Sequence, residues 1–226
     1  MVLVGGDRTC EIAAHALAAA GVGALRWVAR PDRRSLGSGS GTISETMSSR
    51  LAAWRGSNPE VVVEGMALPV AAASASGAES PGALGDQWLG CLRGASAVLR
   101  SGFDDDPMLG AAVRLGIPAV IVRGREAEGI ELVSFRAHGP CPHVPLDGPS
   151  KTGAPPDGGD AAVVAGHLAA AEILVGLAGI ELARPDVGTA RMLRLPPGQA
   201  VPDSADIPWN PACFACGGSG QEMSFA

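Results

Sequence analysis

The chain has 226 residues, with 17 Lys and Arg against 23 Asp and Glu, a formal net charge of −6 and only 4% aromatic residues. This length fits one globular domain, or one domain with a tail. The mild acidity, and a sequence without a cluster of basic residues, argue against binding to nucleic acid or to an anionic membrane surface. The sequence contains a single lysine, Lys151, so arginine supplies the rest of the basic charge.

Three features of the sequence favour a cytoplasmic protein. Residues 1–4 run directly into a Gly-Gly-Asp sequence, without the charged and apolar segments of a secretion signal. The longest apolar stretch, residues 161–180, contains a histidine and a glutamate, which favours a buried helix over a membrane span. Five cysteines, two of them in a Cys-x-x-Cys pair near the C-terminus, suit free thiols or a bound metal in a reducing compartment.

Strands and helices are predicted to alternate over the first 130 residues. Short apolar runs bounded by Gly, Pro or Asn predict strands at 1–4, 24–29, 60–64, 97–99 and 117–122. Ala-rich or uninterrupted segments predict helices at 9–20, 43–56 and 87–93, with a further helix beginning around Pro107. The low-complexity segment 69–86 is predicted to be a surface loop.

The pattern changes after residue 130. A strand is predicted at 131–135, a loop rich in Cys, His, Pro and Gly at 138–160, a long buried helix at 161–178, and a hairpin-like stretch at 188–201. These elements predict a doubly wound α/β fold with a mostly parallel sheet and helices on both faces. Antiparallel strands and a C-terminal Cys-x-x-Cys tail extend it.

Several segments, in this order, resemble the ThiF/MoeB/HesA family of E1-like enzymes. They are VLVGG (2–6), AAAGVGALRWV (18–28), RLAAWRGSNPEVVVE (50–64), AVRLGIPAVIVRG (112–124), GHLAAAEILVGLAG (166–179) and PWNPACFACG (208–217). The resemblance implies one Rossmann-like domain over residues 1–226, with a nucleotide-binding half at 1–130 and the antiparallel strands, core helix and tail at 131–226. It also implies a homodimer or a heteromeric partner subunit.

The activity that the resemblance implies is adenylation. ATP and magnesium would activate the C-terminal carboxylate of a ubiquitin-like sulfur carrier or of a ribosomal precursor peptide. The candidates for the nucleotide and magnesium positions are Gly5, Gly6, Asp32, Asp104 and Asp105, with Arg8 as a candidate phosphate ligand in place of a glycine. Asp32 also suits a turn, and the acidic residues at 104–106 also suit the first turn of a helix. A count without gaps instead places Arg100 or Ser101 in the magnesium position.

Three departures from the family pattern argue against catalysis. Asp7, Arg8 and Cys10 stand where the family has glycines that let backbone N–H groups approach a triphosphate. The arginine-containing run that follows the second strand is absent, and no lysine precedes Lys151. The first hypothesis is therefore a catalytically degenerate partner or scaffold that docks a carrier or precursor peptide. An active adenylyltransferase is the alternative.

A zinc site is the last expectation that follows from the resemblance. The family binds zinc with two Cys-x-x-Cys pairs, and the second pair is present here as Cys213 and Cys216. The first pair is reduced to Cys141, with His143 nearby. These four residues form a set of sulfur and nitrogen donors that suits tetrahedral zinc. Loss of the metal, with the tail held by packing instead, is the other interpretation.

Overall fold

A computed structural model describes residues 1–5, 7–29, 43–67, 81–101, 106–125, 129–135, 152–153, 160–178, 189–196 and 202–208. Within these residues the strands are β1 (Val2–Val4), β2 (Ala24–Ala29), β3 (Val62–Ala67), β4 (Val98–Ser101), β5 (Ala119–Arg125), β6 (Gly129–Phe135), β7 (Thr152–Gly153), β8 (Thr189–Leu195) and β9 (Asp203–Pro208). The helices are α1 (Arg8–Ala19), α2 (Ile43–Ser57), α3 (Pro81–Leu92), α4 (Asp106–Arg114) and α5 (Asp160–Leu177).

The strands form one sheet in the order β3-β2-β1-β4-β5-β6-β8-β9, with the short β7 paired to β5. The first five strands in this order are parallel. The pairs β5–β6, β6–β8 and β8–β9 are antiparallel. This topology confirms the predicted parallel sheet and its antiparallel extension.

Helices pack on both faces of the sheet, because alternate residues of each strand point to opposite sides. One face carries a core in which Leu3 and Leu99 meet side chains of α1, α2 and α5. The other face carries a second core, in which Val2 and Val98 meet side chains of α3 and α4. The strands are therefore apolar on both sides, as expected for a parallel sheet covered by helices.

Several predicted boundaries are wrong, and two of them have a clear physical reason. Helix α3 begins at Pro81, inside the segment predicted to be a loop. Proline is favoured in the first helical turn, and burial of Trp88 on the sheet stabilises a helix that local composition does not indicate. Strand β3 begins at Val62, two residues later than predicted, because the backbone of Val61 still bonds to the turn at Asn58.

Helix α5 is long and apolar enough to cross a membrane by length and composition alone, a test that core helices also pass. In the fold it packs on α1, where a Cβ on Gly166 would lie 2.8 Å from the Cβ of Ile12. Its alanines at 162, 165, 169 and 170 are buried on the same side. The predicted buried helix is therefore present, with one side packed in the core.

Candidate functional site

The candidate site lies where the carboxyl ends of β1 and β4 meet. These neighbouring strands end at Val4 and Ser101, at the point where the strand order reverses. In open α/β sheets ligands bind in the crevice outside such strand ends. Helix α1 begins at Arg8, directly after β1, so its N-terminus and its unpaired backbone N–H groups face this crevice.

The carboxylate of Asp7 fills the end of α1. One oxygen, Oδ1, accepts a hydrogen bond of 2.8 Å from the backbone N–H of Cys10, which makes Asp7 the N-cap of the helix. The other oxygen, Oδ2, accepts a hydrogen bond of 2.6 Å from the hydroxyl of the buried Ser101. We call this arrangement of Asp7, Cys10 and Ser101 the Asp7 cap. It joins the start of α1 to the end of β4 by side chains of the protein itself.

Gly5 sets the close approach of β1 to β4 in front of the Asp7 cap. Its φ angle is +138°, and a Cβ at this position would lie 2.6 Å from the carbonyl oxygen of Ser101. Only glycine fits both the dihedral angle and the space. The indole N–H of Trp27, on β2, donates to the carbonyl oxygen of Gly5. The turn after β1 is therefore held from both neighbouring strands.

Charged side chains on α1 and α2 pair with each other beside the Asp7 cap. Arg8 is 59% exposed and its Nη1 lies 3.2 Å from a carboxylate oxygen of Glu11. Arg50 of α2 reaches the same carboxylate at 3.0 Å and stacks over the ring of Trp27, 5.4 Å from its centroid. Trp54 packs edge-on against Trp27. Glu11 thus holds two arginines close to the helix terminus.

The thiol of Cys10 is not a candidate nucleophile. Burial raises the pKa of this thiol, and the nearby carboxylate of Asp7 raises it further, against a smaller lowering by Arg50. A neutral, buried thiol is a poor nucleophile, because the thiolate is the reactive form. Cys10 therefore acts as a small apolar residue of the core.

The structure describes part of the predicted adenylation set. Gly5 and Arg8 lie at the β1–α1 turn, as the resemblance implies, although Arg8 is paired with Glu11. Ser101 occupies the end of β4, where the gapless count had placed the magnesium position. Gly6, Asp32, Asp104 and Asp105 lie outside the described residues. Helix α4 begins at Asp106, which fits the interpretation of this acidic run as a helix start.

The predicted zinc ligands Cys141, His143, Cys213 and Cys216 also lie outside the described residues. Within the part of the chain that the structure describes, no group of three or more His, Cys, Asp or Glu side chains is placed to hold a metal ion. The two described cysteines, Cys10 and Cys91, are both free and buried. The zinc site stays a prediction.

Two contacts of the site were missed by the sequence analysis. The bond from Ser101 to Asp7 joins residues 94 positions apart, and the bond from Trp27 to Gly5 crosses between two strands. Sequence spacing carries no signal for either contact. Asp7 directly before a helix does carry one, because aspartate is a preferred N-cap. That signal indicates the cap but not the pairing with β4.

The geometry has a chemical consequence for nucleotide binding. A phosphate at a helix N-terminus needs free backbone N–H groups and a site without negative charge. Here the N–H of Cys10 already donates to a carboxylate, and Ser101 is a neutral hydroxyl that donates to the same group. The described residues therefore do not fit a triphosphate bound through a glycine-rich turn.

Comparisons with known proteins place the fold. A scan against protein-family models finds no match, and a search of the curated proteins finds none either. Among solved structures, E. coli MccB matches 95% of this chain with a TM-score of 0.64 and 15% identity. The fold is similar to that of MccB.

Two further solved structures agree with this result. E. coli MccB with MccA-N7isoASN matches 95% of the chain with a TM-score of 0.66 and 14% identity. PaaA matches 92% of the chain, with a TM-score of 0.56 and 14% identity. The chain spans 64% of the length of MccB, 66% of the MccB chain in that complex and 64% of PaaA. At this level of identity the similarity establishes the fold alone.

Proposed function

We propose that this protein is a divergent E1-like protein that docks a carrier protein or a precursor peptide without adenylating it. It would act as a homodimer or as a heteromeric partner subunit in a sulfur-transfer or peptide-modification pathway. The observation that carries the proposal is the Asp7 cap, because it places a carboxylate at the helix end where E1-like enzymes hold phosphates. The fold and its antiparallel extension are kept, while the phosphate position is filled.

Repulsion between the carboxylate of Asp7 and a phosphate would weaken the binding of a nucleotide. A unit charge 4 Å from another of the same sign costs about 4 kcal/mol at the effective dielectric constant typical near a protein surface. A penalty of about 4 kcal/mol corresponds to roughly a thousandfold weaker binding. A further loss follows because the N–H of Cys10 would have to leave Asp7 to reach a phosphate. We therefore expect ATP-Mg to bind no more tightly than millimolar.

The similarity to MccB supports a docking role. MccB has been crystallised with ATP and with MccA, so the fold accommodates both in that protein. In the present chain the Asp7 cap disfavours the binding of ATP and does not affect the binding of a peptide. The alternative, an active adenylyltransferase, is decided by the same experiment.

The test is nucleotide binding by calorimetry together with ATP–pyrophosphate exchange in the presence of carrier peptides. We expect neither binding at micromolar ATP-Mg nor exchange for the wild type. Asp7→Gly removes the carboxylate and restores a glycine, so this variant should gain measurable binding of ATP or of inorganic phosphate. Asp160→Gly is the matched control, because it removes an exposed aspartate at the start of α5 and should gain nothing.

Either of two results would overturn the proposal. Exchange activity in the wild type would establish the alternative, an active enzyme. A failure of folded Asp7→Gly to bind either anion would mean that Asp7 is not what excludes the nucleotide.

We also propose that the protein binds zinc through Cys141, His143, Cys213 and Cys216. Three thiols and one imidazole form a donor set that zinc prefers, and cytoplasmic reducing conditions keep such thiols available. The purified protein should contain about one zinc per chain, which is the stoichiometry of a structural site. Cys213→Ser should lower the zinc content measured by mass spectrometry, whereas Cys91→Ser should leave it unchanged. Equal zinc in both variants would contradict the assignment.

A further inference from the structure

A second charged group lies at the same edge of the sheet as the Asp7 cap, in the antiparallel extension. Arg123 of β5, Glu131 of β6 and Arg194 of β8 stand opposite one another on three neighbouring strands. We call these three residues the arginine row. Val122, which precedes Arg123, pairs with Ser101, so the row lies level with the carboxyl end of β4. Strand spacing of about 4.8 Å puts Arg123 roughly 10 Å from the end of β1.

The central carboxylate of the row orients both arginines. Glu131 is only 2% exposed, and its two oxygens accept from the Nε atoms of Arg123 at 2.7 Å and of Arg194 at 3.2 Å. The Nε–H and one N–H of Nη2 form one edge of a guanidinium, so an arginine that binds through Nε keeps a second edge, formed by Nη1 and Nη2, on its other side. Glu131 is therefore a positioning residue that holds two guanidinium groups side by side.

One terminal donor of the arginine row lacks an acceptor among the described residues. Nη2 of Arg123 is buried and makes no hydrogen bond within the part of the chain that the structure describes. A buried donor without an acceptor is costly, and such a group calls for a specific explanation. Arg194 is 49% exposed, so an incoming group can reach the row from its side. Asp203 stands opposite Arg194 on β9, but the described residues show no ion pair between the two.

We propose that the arginine row binds a carboxylate of the docked peptide or carrier, either a chain terminus or an acidic side chain. Guanidinium groups bind carboxylates through two parallel N–H···O bonds, and one buried carboxylate holds two of them here. This inference rests on the proposed docking function, because it names the chemistry by which the partner is recognised.

A purely structural role predicts a different outcome. Opposite charges on neighbouring strands stabilise sheets, so the row would then contribute to folding and to nothing else. Arg191 offers the matched control for this difference. It lies on the same strand as Arg194 but on the opposite face, and its Nη1 pairs with Glu172 at 3.0 Å. It is an arginine in an ion pair, without a second guanidinium beside it.

The experiment is peptide binding measured by fluorescence anisotropy on the full chain. Three labelled Gly-Ser-Gly-Ser probes differ only in carboxylates: one has a free C-terminus, one a C-terminal amide, and one an amide with a central aspartate. The wild type should bind the first or the third probe, depending on whether a terminus or a side chain is recognised, and should not bind the neutral amide. Inorganic phosphate should compete only weakly.

Substitutions then test whether the arginine row is what binds the carboxylate probes. Arg123→Ala and Arg194→Ala should each weaken binding about ten- to a hundredfold, the loss expected for hydrogen bonds to a charged group. Arg194→Lys keeps the charge but not the two-pronged geometry, so it should restore only part of the affinity. Arg191→Ala should bind like the wild type. Circular dichroism on each variant separates loss of binding from loss of folding.

The results separate this inference from the proposed function. Equal binding by wild type, Arg123→Ala and Arg194→Ala would overturn the role of the row while leaving docking intact. An absence of binding by the wild type to any carboxylate probe at millimolar concentration would also overturn it. ATP–pyrophosphate exchange, in contrast, would overturn the proposed function without affecting the assignment of the row.

Discussion

Asp7 shows how a single residue changes the N-terminus of a helix. In this position a glycine leaves the first N–H groups of α1 open, whereas the aspartate side chain accepts from one of them, the N–H of Cys10. The bond from Ser101 then ties the cap to β4. An N-cap of this kind contributes about 0.5–2 kcal/mol to stability. The residue that disfavours a nucleotide therefore also stabilises the fold.

The burial of Cys10 predicts how the stability of the protein depends on pH. Because the pKa of its thiol is raised above the ordinary value of 9.0, the folded state keeps a proton that the unfolded state releases at alkaline pH. This contribution to stability is fully present below the unfolded pKa and is lost as the pH rises above it. The loss amounts to about 1.4 kcal/mol per pH unit.

We expect the free energy of unfolding of the wild type to fall more between pH 8 and pH 10 than that of Cys10→Ala. Urea denaturation at each pH measures the difference, which should be about 1 kcal/mol by pH 10. Cys91→Ala should show the same trend, because burial also raises the pKa of that thiol. Parallel pH profiles for wild type and Cys10→Ala would contradict the expectation.

Among the helices, the close contact between α1 and α5 depends on the absence of a side chain at Gly166. A Cβ on Gly166 would meet the Cβ and Cγ2 of Ile12 at 2.8 Å and the carbonyl oxygen of Thr9 at 2.9 Å. Helix α1 begins with the Asp7 cap, so this contact also sets the position of the site. Gly176, on the same helix, has nothing within 4 Å of a Cβ.

The two glycines should respond in opposite directions to alanine. Gly166→Ala should destabilise the protein by about 1–3 kcal/mol, because a core that is already packed must shift. Gly176→Ala should be neutral or stabilise by up to about 1 kcal/mol, the helix propensity difference between the residues. Thermal unfolding of both variants checks this, and a stabilised Gly166→Ala would show that the helices can separate without cost.

For the whole molecule, we expect the proposed self-association to use the outer side of α5. Val163 and Leu177 are exposed on this helix, and Val164, Leu168 and Leu174 are half-buried against the core. Exposed apolar patches on soluble proteins commonly mark interaction surfaces. The second side of α5 therefore suits burial against another chain, consistent with the homodimer or heteromeric subunit that we propose.

We expect the wild type to form a dimer by size-exclusion chromatography with light scattering at tens of micromolar. Val163→Asp introduces a charge into this surface and should yield a monomer. Val62→Asp is the control, because Val62 is 57% exposed on β3, away from α5, and its substitution should leave the mass unchanged. A monomeric wild type, or a dimeric Val163→Asp, would exclude α5 as the interface.

Much of the fold could be predicted from the sequence, because the spacing of apolar residues and the positions of Gly, Pro and Asn are local features of the chain. The apolar run of β2 and the Ala-rich stretch of α1 predicted those elements to within a residue or so. Helix α3 could not be predicted in full, because glycines weaken its first turns and burial of Trp88 stabilises it from outside. Tertiary packing overrides propensity in such cases.

Some features of the candidate site could also be predicted from the sequence, and others could not. Composition and motif order determined the fold class, the glycine losses at the β1–α1 turn and the absence of a lysine before Lys151. Only the tertiary structure decided what replaced the glycines. The bond between Asp7 and Ser101 and the row of Arg123, Glu131 and Arg194 both join residues that are distant in the chain. Strand order and register bring them together, and these depend on the packing of the whole sheet rather than on any local pattern.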